Sequence, residues 1–270
     1  MESREMIPVV VSGATGRMGR ETVRTVLGQV DMELVGALGH ARHLGEDIGE
    51  LVAGDSCGVH VTADLDEALE RAAGGVMVDF STGTAVKERV LRAIQHDVAC
   101  VIGTTGIPAA DEDEIDNVAR AHKHPVLVAP NFALGAVLMM KFAREAARYY
   151  RWAEILEMHH ERKLDSPSGT ARRTAELMVR ARPDGFRTPA EGEETVKGAR
   201  GGNIGGVRIH SVRMPGLLAH QMVLLGGVGE TLTLRHDSAT RECFMPGVAL
   251  AIQRVRRLHG LVVGLENILD

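Results

Sequence analysis

Three features of the 270-residue chain predict an α/β fold, with a Rossmann-like doubly wound parallel sheet and a second α+β domain built on a mainly antiparallel sheet. A β-branched apolar run over Ile7–Ser12 ends in a glycine-rich turn and is followed by helical spacing. Apolar runs then alternate with helical stretches to about residue 130, as a sheet buried on both faces requires. After Asn131 the rhythm changes to longer helices and segments with period-two alternation.

Taken in order, Met18, Val23, Val26 and Leu27 repeat at near-helical spacing behind the first turn, so strand, tight turn and helix succeed one another. Further strands are predicted at 34–38, 76–80, 100–102 and 126–129, with helices at 64–72, 85–95 and 111–122. Beyond Asn131 the pattern predicts a helix at 133–150, a strand at 155–159, a helix at 170–180 and a polar, Gly-rich loop at 183–206. Strands follow at 207–213, 221–225 and 231–236. The last helix, 247–258, is expected to return to the first sheet. Residues 1–130 with 240–270 then form the dinucleotide-binding domain, and 131–239 the substrate-binding and oligomerisation domain.

Composition narrows the ligand. A net charge of −5 argues against broad nucleic-acid binding, and 3% aromatic residues, with Trp152 the only tryptophan, leaves little to stack on bases. A small molecule fits better. Cys57, Cys100 and Cys243 are odd in number and widely spaced, which indicates reduced thiols rather than a disulfide framework or a zinc site. No apolar run reaches the roughly 20 residues that cross a bilayer. The opening MESREMIPVVV lacks the basic and long apolar regions of a signal peptide, so a cytoplasmic protein with no membrane partner is expected.

Gly13, Gly16 and Gly19 stand between the first strand and first helix. There a dinucleotide site needs one glycine for the turn, one for approach of the pyrophosphate and one for helix–strand packing. Gly13, Ala14, Thr15, Gly16, Arg17 and Met18 are the candidate contacts; the alternative is a turn that only lets the helix pack closely. NAD enzymes carry an acidic residue at the end of the second strand. Here that strand ends Gly36-Ala37-Leu38-Gly39-His40, with Glu33 at its beginning. His40, Arg42 and Arg17 would meet a 2′-phosphate with positive charge, which favours NADPH and leaves NADH possible. His40, Arg42 and His43 also read as a plain solvated loop. Gly103, Thr104, Thr105, Ala129, Pro130, Asn131 and Phe132 fall at strand ends, where they either border the nicotinamide or simply connect elements.

Residues 154–171 read EILEMHHERKLDSPSGTA. If 155–159 is a strand, His159 and His160 cannot both face one ligand unless the strand ends there, so one of them is the better acid. Histidine exchanges protons near neutral pH, and Lys163 adds a fixed cation. Ser168, Gly169 and Thr170 open a helix whose N–H groups suit an anion; the plainer reading is a cap by Ser166 with Pro167 in the first turn. Adjacent histidines lack the HExxH spacing and no cysteine lies nearby, so no metal is expected.

E-I-x-E-x-H-H-x-x-K-x-D-S-P-S-G-T-A, as it stands here, resembles the signature of the 4-hydroxy-tetrahydrodipicolinate reductases, also called dihydrodipicolinate reductases. The likeness extends to Val78-Asp79-Phe80-Ser81, Gly103-Thr104-Thr105-Gly106, Asn131-Phe132, Gly229-Glu230 and the stretch 238–244. It implies a nicotinamide-dependent reduction of a small cyclic dicarboxylate, with hydride to C4 and a proton to C3. It also implies His159 as acid/base residue, Lys163 as second donor or orienting cation, and His160 with Gly169 and Thr170 on the substrate carboxylates. A homotetramer built through the second domain is implied too. Gly39 departs from the acidic residue many members carry, which bears on the cofactor and not on the reaction. Closure about hinges near Asn131 and Ala239 is expected, with Arg241 sensing substrate. A short-chain dehydrogenase shares the glycine loop but needs Tyr-x-x-x-Lys, absent after Tyr149 and Tyr150; a non-catalytic NADP sensor would leave residues 154–171 unexplained.

Overall fold

The computed structural model describes residues 6–188 and 193–269. The leader reading of residues 1–5 and part of the loop expected at 183–206 therefore lie outside the described residues. The chain divides into two compact units, passing from the first to the second at Phe132/Ala133 and back at Cys243/Phe244.

The first unit alternates β1 (Ile7–Ser12), α1 (Arg17–Gly28), β2 (Met32–Leu38), α2 (Ile48–Ala53), β3 (Val61–Thr62), α3 (Leu65–Glu70), β4 (Val76–Asp79), α4 (Gly83–Gln95), β5 (Ala99–Ile102), α5 (Ala109–Ala121) and β6 (Pro125–Val128). The second holds α6 (Leu134–Ala146), β7 (Trp152–His159), α7 (Gly169–Ala181), β8 (Gly202–Ile204), β9 (Val207–Arg213), β10 (Ala219–Gly227) and β11 (Glu230–Ser238). α8 (Met245–Val255) and β12 (Gly260–Val263) complete the first unit.

Its seven strands are all parallel and run β3-β2-β1-β4-β5-β6, with β12 added beyond β6. This is the doubly wound order whose reversal between β1 and β4 creates a ligand crevice. Every residue of β4 and β5 is buried, which is why those segments read as apolar runs broken only at Asp79. α4 buries Val86, Val90 and Ala93 on one stripe, and α8 packs against β4, β5, β6 and α1. Asp47 fixes the β2–β3 connection: its carboxylate caps α2 through the Gly49 and Glu50 N–H groups and also accepts from Ser56, Cys57 and Gly58.

The second sheet runs β11-β10-β7-β9-β8 and is antiparallel except for the β7/β9 pair. Its inner face, with Ile155, Ile209, Val223 and Leu225, packs on α6 and α7 through Met139, Ala171, Ala175 and Met178. No element is predicted where α2 and β3 stand, and predicted and observed elements differ in three further places. α6 stops at Ala146 rather than 150, because the Arg182 guanidinium takes the carbonyls of Ala147 and Arg148 and closes the helix end. β8 falls inside the predicted loop, where Gly205 and Gly206, both at positive φ, turn three residues back onto β9. β12 is only four residues long and gives no separate signal in the sequence. Among the described residues no helix is long and apolar enough to cross a membrane.

Candidate active site

The first unit's candidate site grows from the turn after β1. Gly13 sits at φ +76°, and a Cβ there would lie 2.7 Å from the Phe80 carbonyl oxygen. Gly19 is tighter: a Cβ would come within 2.0 Å of the Gly13 carbonyl oxygen, so helix and turn touch backbone to backbone. No side chain caps α1 at Gly16, which leaves the helix N-terminus as an anion-binding end. These are the requirements of a dinucleotide pyrophosphate, and the residues present meet them.

Beside this turn lies a cavity of about 530 Å³ that brings Gly13, Thr15, Gly16 and His40 together with Ser81 and Arg89. Arg17 and Met18 do not line it, nor do Gly103, Thr104, Thr105 or the segment 129–132, which stand further along the sheet at the ends of β5 and β6. Gly39 also lines the cavity, and a Cβ there would meet Val61 Cγ1 at 2.6 Å and Thr15 Cγ2 at 2.9 Å. The missing acid at the end of β2 is thus matched by packing that leaves it no room.

Asp79 ties the cavity's far wall together. Fully buried, it accepts the Ser81 N–H at 3.0 Å, the Ser81 hydroxyl at 2.8 Å and the Thr104 hydroxyl at 2.6 Å. Arg89 donates to the Ser81 hydroxyl and stands 3.6 Å from the same carboxylate. Nothing in the spacing of the sequence singles out Arg89.

In the second unit β7 sorts the motif by face. Ala153, Ile155, Glu157 and His159 point towards the core, whereas Glu154 is on the outer face, held by Arg200 at 2.6 Å and His210 at 2.8 Å. β7 ends at His159, so His160 is released from strand geometry and its Nδ1 accepts the Arg162 N–H at 3.2 Å. Lys163 pairs with Asp165 at 2.7 Å, a bond that holds the Asp165 carboxyl below its usual range. The cap of α7 is Ser168 rather than Ser166: its hydroxyl accepts the Ala171 N–H at 3.2 Å. Gly169 begins the helix with open space where a Cβ would stand, so its backbone can be approached closely.

Sequence reasoning missed the centre of this site. Glu157 is fully buried; its Oε2 lies 2.6 Å from His159 Nδ1 and its Oε1 accepts the Ser168 N–H at 3.1 Å. Arg213, from β9, donates to both oxygens at 2.8 and 2.7 Å and to the Asp165 carbonyl at 2.6 Å. Burial by itself would raise the Glu157 carboxyl, but the bonds from His159 and Arg213 outweigh it and hold the group at about 2. Among the described residues no cluster of three or more His, Cys, Asp or Glu is arranged to hold a metal ion.

A doubly wound sheet with a glycine turn for a dinucleotide, joined to a second sheet carrying a histidine–carboxylate pair, defines an NAD(P)H-dependent oxidoreductase. Comparison with known proteins narrows the class. Residues 7–132 match the family model described as dihydrodipicolinate reductase, N-terminus, and 135–269 the one described as its C-terminus. The chain is 48% identical over 265 residues to the 4-hydroxy-tetrahydrodipicolinate reductase of Desulfitobacterium hafniense (strain DSM 10664 / DCB-2), covering 98% of this chain and 99% of the relative. The enzyme of the same name from Moorella thermoacetica is 50% identical over 264 residues, 98% of each chain. A solved structure, the dipicolinate-bound dihydrodipicolinate reductase from Paenisporosarcina sp. TG-14, superposes with a TM-score of 0.87 at 43% identity over 98% of this chain and 100% of that one. The chain belongs to the dihydrodipicolinate reductase family.

Proposed function

We propose that the chain reduces 4-hydroxy-tetrahydrodipicolinate, by way of dihydrodipicolinate, to tetrahydrodipicolinate in diaminopimelate and lysine biosynthesis, with NADPH preferred over NADH. The observation that carries this reading is His159, bonded through Nδ1 to a buried carboxylate at the strand end beside the opening of α7. A solved relative described as dipicolinate-bound supports a small dicarboxylate as substrate.

When bound, the nicotinamide supplies the hydride that reduces ring C4. His159 gives its proton to C3, the carbon at which negative charge builds. Gly169 and Thr170 at the start of α7, with His160 and the Ser168 hydroxyl, hold the ring carboxylates, since a helix N-terminus favours anions; the Ser168 N–H is already given to Glu157. Lys163 exchanges its bond to Asp165 for one to the substrate, as orienting cation or second donor. The nucleotide is held by Gly13, Ala14, Thr15, Gly16, Arg17 and Met18 at its pyrophosphate, and by Gly103, Thr104, Thr105, Ala129, Pro130, Asn131 and Phe132 towards the nicotinamide. His40 meets the 2′-phosphate, and the crowding at Gly39 supports this preference by keeping a repelling carboxylate away. We further propose a cytoplasmic homotetramer assembled through the second sheet, whose outer face carries the half-buried Leu156, Met158, Val212, Met222 and Leu224.

The test is a coupled assay supplying pyruvate, aspartate semialdehyde and the synthase that condenses them, followed by NADPH absorbance. Steady consumption is expected, and none would remove the proposal. His159→Gln lowers kcat by about 10²–10⁴-fold, the usual worth of a general acid, with NADPH binding nearly unchanged; full turnover would remove the assignment.

A further inference from the structure

We propose that Glu157, held by Arg213, is the positioning residue of the reaction: it fixes the His159 ring with Nδ1–H donated inward and Nε2 presented to substrate, and ties that ring to the start of α7. The proposal rests on His159 being the acid.

One carboxylate joins three pieces of chain that the sequence separates. Oε2 receives His159 Nδ1, Oε1 receives the Ser168 N–H that opens α7, and Arg213 bridges both oxygens from β9. The proton donor and the carboxylate-binding turn are thereby held in one relation. A carboxylate only accepts hydrogen bonds, so the nitrogen facing it must carry a proton in both ring states. Nε2 is then the nitrogen that gains and loses the catalytic proton. In the forward step the Nε2–H bond breaks, the proton goes to ring C3, and the neutral imidazole keeps Nδ1–H on Glu157 until solvent restores the cation.

The one charge bonded to the pair from outside β7 is the Arg213 guanidinium. β9 contributes Arg213 and the Ser211 hydroxyl, and β10 contributes Gln221, neutral and directly opposite Glu157 in register. Gln221 donates to Thr174 of α7, which adds only the Ser168 N–H to the carboxylate. Lys163 and Asp165, from the turn after β7, are paired with each other. Asp165 touches Arg213 through its carbonyl oxygen.

Glu157→Gln is the discriminating variant. Its Oε1 still accepts from Ser168, while its NH₂ donates towards His159 and forces the opposite tautomer. The expected result is a kcat roughly 10²-fold lower, as for a misdirected general acid, with the KM of the dicarboxylate changed much less. NADPH binding is unchanged. A folded variant with the wild-type kcat, while His159→Gln remains crippled, overturns the positioning role; full activity of His159→Gln overturns the acid itself. Because an Arg213 left without its carboxylate destabilises the fold, the double variant Glu157→Gln/Arg213→Gln is measured in parallel and shows the same loss of kcat. ¹⁵N spectra of the imidazoles in the unsubstituted protein, assigned with His159→Gln, give a readout independent of folding: neutral His159 is protonated at Nδ1, and an Nε2–H tautomer overturns the proposal.

Discussion

The two candidate sites are built from opposite materials. In the first unit the working surface is backbone: Gly13 and Gly19 approach their neighbours so closely that no Cβ fits, and the anion-binding end of α1 is left without a side-chain cap. In the second unit it is side chains, namely His159, Glu157, Arg213 and Lys163, assembled around a helix start with open space at Gly169. Among the described residues each unit also buries one carboxylate completely, and these differ in the same way. Asp79 is bonded chiefly by the uncharged donors of Ser81 and Thr104, so it fastens two turns; Glu157 is bonded by His159 and Arg213, so it touches the group proposed to move a proton. Adding atoms damages the first site, and removing or reversing charge damages the second.

Two glycines give that contrast its largest expected effect. Gly19→Val drives a side chain into the Gly13 carbonyl, 2.0 Å from where a Cβ would stand, and neither backbone can yield without opening the turn. Overpacking of this kind costs about 1–3 kcal/mol or more, so fluorescence titration should find NADPH bound roughly 100-fold more weakly, with a lowered melting temperature. Gly169→Ala adds a methyl to open space. It should melt and bind NADPH as the parent does, and raise only the KM of the dicarboxylate. Equal losses of nucleotide binding in both variants would break the comparison.

This division also explains what is legible in the sequence. Glycine spacing reports backbone contact directly, so the turn after β1 can be read from spacing alone, and β4 and β5, buried on both faces, can be read from apolar runs broken only at Asp79. His159, Lys163 and Ser168–Thr170 are legible because they share one short segment. Arg213 is not: it reaches Glu157 from 56 residues along the chain, through the parallel pairing of β7 with β9, and no local pattern announces that register. Arg89 reaches the cavity wall from the second turn of α4, where one arginine among several helical charges carries no signal. β8, three residues long and without a buried position, has no period to read, and β12, as long as β4 and β5, is an edge strand with only Gly260 buried and so lacks their two-sided burial.

Lys163 sharpens the account of the second site, because its two candidate roles separate kinetically. As an orienting cation it leaves Asp165 for a substrate carboxylate, a charge-assisted bond worth about 1.5–3 kcal/mol. Lys163→Met should then raise KM by about 10–100-fold with kcat changed much less, since binding common to ground and transition states is lost. A fall in kcat at constant KM would instead assign it a proton.

The smallest effect is expected where side-chain charge enters the backbone-built site. His40 is exposed at the rim of the cavity, next to the crowded Gly39, and has no buried partner to disturb. His40→Asp restores an acid one position beyond the place where NAD enzymes carry it, without pressing on Val61 or Thr15. Repulsion of the 2′-phosphate by an exposed carboxylate, screened by water, is worth about 1 kcal/mol, so the NADPH Kd should rise about 5–10-fold while the NADH Kd stays within about twofold of its starting value. Titration with both nucleotides at two salt concentrations checks this. The NADPH effect should shrink as salt rises, because exposed charges are screened beyond about 10 Å at 0.1 M ionic strength. An equal change for both nucleotides would mean that His40 contacts something common to them, such as the ribose, and would remove charge at His40 as the ground for the proposed preference for NADPH.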